Sequence, residues 1–296
     1  MAASLIDGKA IAAQIKAEVR EQAARLKSEK GIVPGLAFIL VGNNPASEVY
    51  VRSKGKACDE MGFYSVTRHL DVGATEQDVL SLIARFNLDT GIHGILVQLP
   101  LPSHMSETAV LEAIDYRKDV DGLHPVNAGR LTIGLDCLRP CTAAGVQELL
   151  LRSGHDPAGK HVVVVGRSNL VGKPVANILL QKKKGANAVV TIAHTGAGDL
   201  ARFTREADIL VAAIGKAESI RGEMLKQGCV VIDVGTNRIP DPTSKTGTRL
   251  VGDVHFPSAS QVAGAITPVP GGVGPMTIAM LMKNTLKAAE GDAYRA

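Results

Sequence analysis

Hydrophobic positions along the chain fall into two series in which strand-like runs alternate with helical periods. Ile11, Ile15, Val19 and Leu26 recur at helical spacing and predict one amphipathic helix over residues 8–30, with Asp7 placed to cap its start and Gly31 to end it. The unbroken apolar run GLAFILV predicts a buried strand at 35–41. After it come a helix over 45–61, a strand over 63–70 and a helix over 76–87 opened by Thr75 and Asp78, a variant of the capping box. A strand at 94–99 (GILVQL) stops at Pro100 and Pro102, and a short helix follows near 106–114. Strands and helices in this alternation build βαβ units and a mostly parallel sheet.

Between 117 and 141 the periodicity breaks. Gly, Pro, His and Asp crowd together in KDVDGLHPVNAGRL, which predicts loop and crossover. A helix over 142–153 leads into the second series, with strands at 161–165, 188–193, 208–213 and 229–234 and helices near 172–184, 199–206 and 222–227. Residues 236–249 are polar and turn-rich, and 275–290 return to helical spacing through Met276, Ala279, Met280 and Met282. The expected organisation is therefore two α/β domains. The first spans 1–145 and is completed by the C-terminal segment 275–296; the second, 146–274, is a Rossmann-like parallel-sheet dinucleotide-binding domain.

Composition narrows the class. A chain of 296 residues with 45% hydrophobic and 21% charged residues can bury the cores of two domains. The net charge of +4 is spread without a basic block, and Lys182, Lys183 and Lys184 read as the last turn of a helix, so nucleic acid is not an expected partner. The cysteines at 58, 137, 141 and 229 form no Cys-x-x-Cys pair and have no histidine cluster beside them. No structural metal and no disulfide framework is expected, and the default compartment is a reducing one. No apolar leader segment and no run of ~18 apolar residues is present, so neither a signal peptide nor a membrane span is expected.

Two stretches carry candidate chemistry. In VGNNPASEVYVRSKGKACDEMGF (41–63), a loop just past the carboxyl end of a strand feeds a helix carrying Tyr50 and Lys54. Four residues apart, these two share a helix face, at the end of the sheet where open α/β folds bind ligands. By spacing alone such a lysine is ordinarily a solvated surface residue. The second stretch, Gly166 to Pro174 (GRSNLVGKP), joins a strand to a helix start, where backbone N–H groups and the helix dipole meet phosphate. It is neither Gly-x-Gly-x-x-Gly nor a Walker A loop: five residues separate Gly166 from Gly172, and Pro174 stands where magnesium needs Ser or Thr. The following strand ends without a carboxylate before Asp199, and Arg167 can fork onto a 2′-phosphate, which favours NADP over NAD. The alternative for Arg167 is a loop arginine facing water. Asp119-x-Asp121-Gly has the look of a calcium loop, but Arg117 and Ala128 occupy the positions of its first ligand and its bidentate glutamate, so that reading fails.

Six stretches taken in order (41–63, GILVQLPLP, KDVDGLHPVNAGRL, GRSNLVGKPVANILL, GDV at 252–254 and ITPVPGGVGPMT) resemble the bifunctional methylenetetrahydrofolate dehydrogenase/cyclohydrolase family over nearly the whole chain. The resemblance implies two α/β domains flanking a cleft, a cytoplasmic homodimer, and one-carbon chemistry of the kind that feeds purine biosynthesis. It implies NADP-dependent oxidation of methylenetetrahydrofolate to methenyltetrahydrofolate, then hydrolysis to formyltetrahydrofolate. Carried over by position, Lys54 is the catalytic lysine, Tyr50 the ring that stacks on the pterin, Gln98 the partner of that lysine and Asp121 the carboxylate that holds the pterin. Val97 and Leu99 flank Gln98 in the substrate pocket, and Pro270, Gly271, Gly272, Val273 and Gly274 form the loop near the folate. Gly166, Arg167, Ser168, Gly172, Thr195 and Thr236 are the implied cofactor contacts.

Three positions depart from the family pattern. His194-Thr195-Gly196-Ala197 lacks the cation that usually follows the hydroxyl residue, Thr236 replaces a common isoleucine, and Ala143 replaces a proline at a helix start. The first leaves more of the 2′-phosphate to Arg167. Two rival readings remain open, a dehydrogenase that uses NAD or NADP without hydrolysing its product and a folate- or dinucleotide-binding protein without turnover. The presence of Tyr50, Lys54, Gln98 and Asp121 argues against both.

Overall fold

The structure, a computed structural model, describes residues 3–244 and 247–294. Residues 1, 2, 245, 246, 295 and 296, which the expected ranges include, lie outside it. The chain divides into two compact units. One takes in the N-terminal residues as far as Ala12 together with Thr142–Thr277; the other takes in Ala13–Cys141 and the chain from Ile278 onward. The N-terminal strand thus belongs with the second α/β series, whereas the expected division put it with the first.

In the unit built around Ala13–Cys141, three parallel strands lie in the order Tyr64–Leu70, Gly35–Val41, Gly94–Val97. Every residue of the central strand is buried, which is why it reads as an unbroken apolar run. Ile39, Val41, Ile83, Ile95 and Val110 belong to its core. Thr75 and Asp78 form the reciprocal capping box that opens the helix Glu76–Leu88. At the sheet edge, Ile95 donates to Lys118 O at 2.8 Å and pairs in parallel with Asp119, so a single bridge ties the KDVDG segment to the sheet. Gly94 permits this approach, since a Cβ there would sit 2.6 Å from Val120.

The other unit holds six parallel strands in the order Ser4–Leu5, Ala265–Ile266, Val230–Asp233, Ile209–Ala212, His161–Val165, Val189–Ala193. From His161–Val165 the chain passes first to Val189–Ala193 on one side and then to Ile209–Ala212 on the other. The direction of winding therefore reverses at His161–Val165, and the carboxyl ends of the strands there form the crevice where open α/β sheets take ligands.

Four expectations are corrected. Pro125–Thr132 is a helix, not loop: His124 caps it by accepting from Val126 N at 3.1 Å, and Pro125 starts it instead of breaking it. Residues 237–251 contain an antiparallel hairpin, Asn237–Pro240 with Thr248–Val251, whose strands are too polar and too short to show as apolar alternation. The helix after Gly166 is Gly172–Leu179 and stops before the lysines. Gly185 and Asn187 adopt positive φ and turn the chain there, so Lys182, Lys183 and Lys184 lie in a turn beyond the helix end. The region expected as a helix over 222–227 is a single 3-10 turn, Gly222–Met224. Among the described residues, no helix is long and apolar enough to cross a membrane.

Candidate active site

The helix Pro45–Met61 begins with Asn44, whose side chain accepts from Ser47 N at 3.2 Å. Its buried face comprises Ser47, Val51, Lys54, Ala57, Cys58 and Met61, one helical stripe with a lysine in the middle of it. Lys54 is only 8% exposed, so the solvated-lysine alternative fails. Its ammonium donates to Gln98 Oε1 at 3.0 Å. Gln98 follows the strand Gly94–Val97 directly, and its other amide atom donates to Leu99 O at 2.8 Å, which turns the oxygen toward the lysine. Burial pushes the Lys54 pKa down, while the negative charge of Asp121 acts in the opposite sense. Val97 is buried at the end of the same strand. Tyr50 lies one turn before Lys54 and is 52% exposed, an aromatic face available to a flat ligand.

Asp121 sits in the loop between the edge pairing at Asp119 and the helix Pro125–Thr132. The structure therefore brings Lys54, Gln98 and Asp121 to one end of the three-stranded sheet, each delivered by a different connection. The sequence reading missed Cys141 here. Its thiol donates to Val120 O at 3.3 Å, and burial, reinforced by the neighbouring Asp121, pushes its pKa up and keeps it neutral. The segment Pro270–Gly274 belongs to the other unit. There Gly271 has φ +110, and a Cβ on Gly8 would lie 1.8 Å from Gly272 O, so the loop packs backbone to backbone against the start of the first helix.

In the six-stranded unit, the expected cofactor positions fall at the carboxyl ends of three strands. Gly166 follows His161–Val165, Thr195 follows Val189–Ala193, and Thr236 comes shortly after Val230–Asp233. Gly166 has φ +136, and a Cβ there would lie 2.1 Å from Ala213 O; one on Gly172 would lie 2.2 Å from Gly166 O. Two glycines in contact thus bring the helix N-terminus hard against the strand end. Ser168 Oγ accepts from Val171 N at 3.1 Å and secures the same turn, which leaves Arg167 exposed. A helix N-terminus at the strand ends with a free-facing guanidinium beside it is a donor set suited to a dinucleotide's phosphates. Two buried carboxylates that the sequence reading did not single out hold these strand ends. Asp253 accepts from Ile214 N, Gly215 N and Asn237 Nδ2 at 2.6–2.9 Å. Asp233 accepts from Gly235 N, Asp253 N and Val254 N, while its burial pushes its pKa up to about 7.

A parallel sheet with a glycine-tight turn at its reversal point is the construction of a dinucleotide-binding α/β enzyme, and a second α/β unit carries the buried lysine. Residues 6–121 match the tetrahydrofolate dehydrogenase/cyclohydrolase catalytic domain, and residues 140–293 match the NAD(P)-binding domain of the same family. The chain belongs to the tetrahydrofolate dehydrogenase/cyclohydrolase family. It is 56% identical over 289 residues to the bifunctional protein FolD of Moorella thermoacetica, covering 98% of this chain and 99% of that one. Among solved structures, it is similar to the bifunctional FolD methylenetetrahydrofolate dehydrogenase/cyclohydrolase of Campylobacter jejuni, with 48% identity, TM-score 0.92 and coverage of 98% and 99%. It is equally similar in fold to the FolD of Trypanosoma brucei complexed with NADP cofactor and inhibitor, with 43% identity, TM-score 0.92 and full coverage of both chains.

Proposed function

We propose that this chain is a bifunctional one-carbon enzyme that oxidises methylenetetrahydrofolate to methenyltetrahydrofolate and then hydrolyses the product to formyltetrahydrofolate. The observation that carries the reading is Lys54, buried in the apolar face of its helix, depressed in pKa and held by Gln98. Hydrolysis requires water to add to the methenyl carbon and a ring nitrogen to gain a proton as its bond to that carbon breaks. An amine of lowered pKa takes the proton from water and returns it. Gln98 fixes the amine's direction, Tyr50 offers a face for the pterin, and Asp121 accepts from the pterin's N–H groups.

NADP as hydride acceptor is supported by the exposed Arg167 beside the Gly166–Gly172 turn and by the NADP complex of the Trypanosoma brucei relative. The bound nicotinamide supplies the hydride chemistry, and the protein's part is to orient and shield the reacting groups. Gly166, Ser168, Gly172, Thr195 and Thr236 would line its site, and the resemblance assigns folate contacts to Val97 and Leu99 in one unit and to Pro270–Gly274 in the other. The resemblance further supports a homodimer, a cytoplasmic setting and a contribution to purine biosynthesis. The test is purified protein with methylenetetrahydrofolate and either NADP or NAD, followed at the reduced-nicotinamide and methenyl absorbances. Reduced cofactor with transient methenyl absorbance supports both activities; methenyl product that accumulates and persists leaves a dehydrogenase alone, and no turnover leaves a binding protein.

A further inference from the structure

We propose that the C-terminal segment, through Asn284 and Tyr294, is the positioning element that holds the Asp121 loop and so sets the affinity for folate. The inference rests on the reading of Asp121 as a substrate contact.

Asp121 lies in a loop, and every group that fixes the loop acts on its immediate neighbours. Asp119, 1% exposed, accepts from Gly122 N at 3.1 Å through one carboxylate oxygen and from His124 N at 2.7 Å through the other, so its carboxylate closes the loop across Asp121. The same second oxygen accepts from Asn127 Nδ2 at 2.9 Å. Asn127 is fully buried, and its Nδ2 donates also to Tyr116 O at 2.8 Å. With both amide protons used, its oxygen must face a donor. That donor is the Tyr294 hydroxyl, 2.7 Å away and also within reach of Tyr116 O. The Tyr294 ring meets Tyr116 edge-on, with centroids 5.0 Å apart.

The second anchor is independent of the first. Asn284, on the helix Val273–Glu290, donates to Val120 O and to Arg139 O at 2.8 Å each. Val120 O is the carbonyl of the peptide bond that enters Asp121. On the other side, Gly122 has φ +75, and a Cβ there would lie 2.4 Å from Arg139 C and Pro140 N, so the backbone leaving Asp121 is equally confined. Two side chains more than 160 positions downstream thus hold the loop: Asn284 bonds the Val120 carbonyl directly, and Tyr294 fixes Asn127, whose amide in turn bonds the Asp119 carboxylate. An incorrectly placed loop loses hydrogen bonds to substrate before it loses the fold, because Asp119 and Gly122 still close the turn.

The experiment uses the full chain and steady-state rates. Tyr294→Phe keeps the ring and removes the hydroxyl. It is expected to raise KM for methylenetetrahydrofolate about three- to tenfold, the loss of roughly one buried hydrogen bond, with kcat and the KM for NADP within about twofold of wild type. Asn284→Ala is expected to act in the same direction. Thr204→Val, which removes a buried hydroxyl bond to Met224 O in the other unit, controls for a general loss of stability and is expected to leave the folate KM alone. Combined with Asp121→Ala, Tyr294→Phe is expected to add little further change, since both act on one contact. The proposal is overturned if Tyr294→Phe leaves the folate KM unchanged, or if Thr204→Val raises it as much. A folate KM untouched by Asp121→Ala itself would instead sink the reading of Asp121, a separate outcome.

Discussion

Lys54 and Gln98 meet with the lysine's ammonium donating to the glutamine's Oε1 at 3.0 Å, and the glutamine's remaining amide is fixed by the carbonyl of Leu99. The lysine's direction is thereby set from the backbone of the strand end. Lys54→Gln is expected to reduce cyclohydrolase turnover by about 10²–10⁴-fold, the usual worth of a positioned acid–base group, while dehydrogenase turnover falls less. Parallel assays of both steps on purified variant protein check this, and equal losses in the two would remove the lysine's separate role.

The pH dependence has a definite sign. The ammonium form of Lys54 cannot accept a proton from water, so hydrolysis is expected to speed up as pH rises toward its pKa. Burial lowers that pKa. The limb is therefore expected to level off below the ordinary lysine value of about 10.4. A kcat/KM profile for hydrolysis between pH 6 and 10.5 would reveal the limb, and Lys54→Gln should flatten it.

Arg167 is exposed beside the glycine turn, with no acidic residue at the end of the neighbouring strand Val189–Ala193 before Asp199. Arg167→Ala is expected to raise the KM for NADP about tenfold or more, as loss of a charge-assisted contact would, and to change the KM for NAD much less. Initial rates with the two cofactors side by side decide it. Similar shifts for both would remove Arg167 from the 2′-phosphate.

Gly166→Ala places a methyl 2.1 Å from Ala213 O at φ +136, so the strand-to-helix turn must open. We expect a destabilisation of about 1–3 kcal/mol and weakened cofactor binding, with folate affinity retained. Urea unfolding and separate titrations of the two ligands would measure these effects. A variant with unaltered cofactor affinity would place the phosphates elsewhere.

All four cysteines are buried, and burial pushes their thiols up, Cys58 to about 12 and Cys229 to about 11. The thiolate is the reactive form. A thiol-alkylating reagent at pH 7.5 is expected to leave the native protein unmodified over minutes and to label all four sites in urea. Intact-mass spectrometry would show rapid native labelling if any of them is accessible.

Much of this was readable in the chain, and the reasons are local. Gly35–Val41 is apolar throughout because both faces of the strand are covered, whereas Lys54 read by spacing alone as solvated and lies instead on the buried face it shares with Val51, Cys58 and Met61. What escaped reading depends on pairing across distance. Ser4–Leu5 and Ala265–Ile266 are two-residue strands with meaning only beside each other. Pro125 looks like a breaker until His124 is seen capping the helix it starts. Asp119, Asn127 and Tyr294 are separately unremarkable polar residues. Their role comes from convergence on one loop, which no spacing rule expresses.

The interleaving of the two units sets the order in which the protein is able to complete itself during synthesis. The strand Ser4–Leu5 emerges first but has no partner until Ala265–Ile266 has been made. The unit built from Ala13–Cys141 likewise waits for the residues after Ile278, including Asn284 and Tyr294, before its Asp121 loop is gripped. Neither unit matures as an early, self-contained product of the ribosome. The six-stranded sheet closes once Ala265–Ile266 is made and the Asp121 loop only once Asn284 and Tyr294 follow, so a polypeptide stalled before residue 265 carries neither.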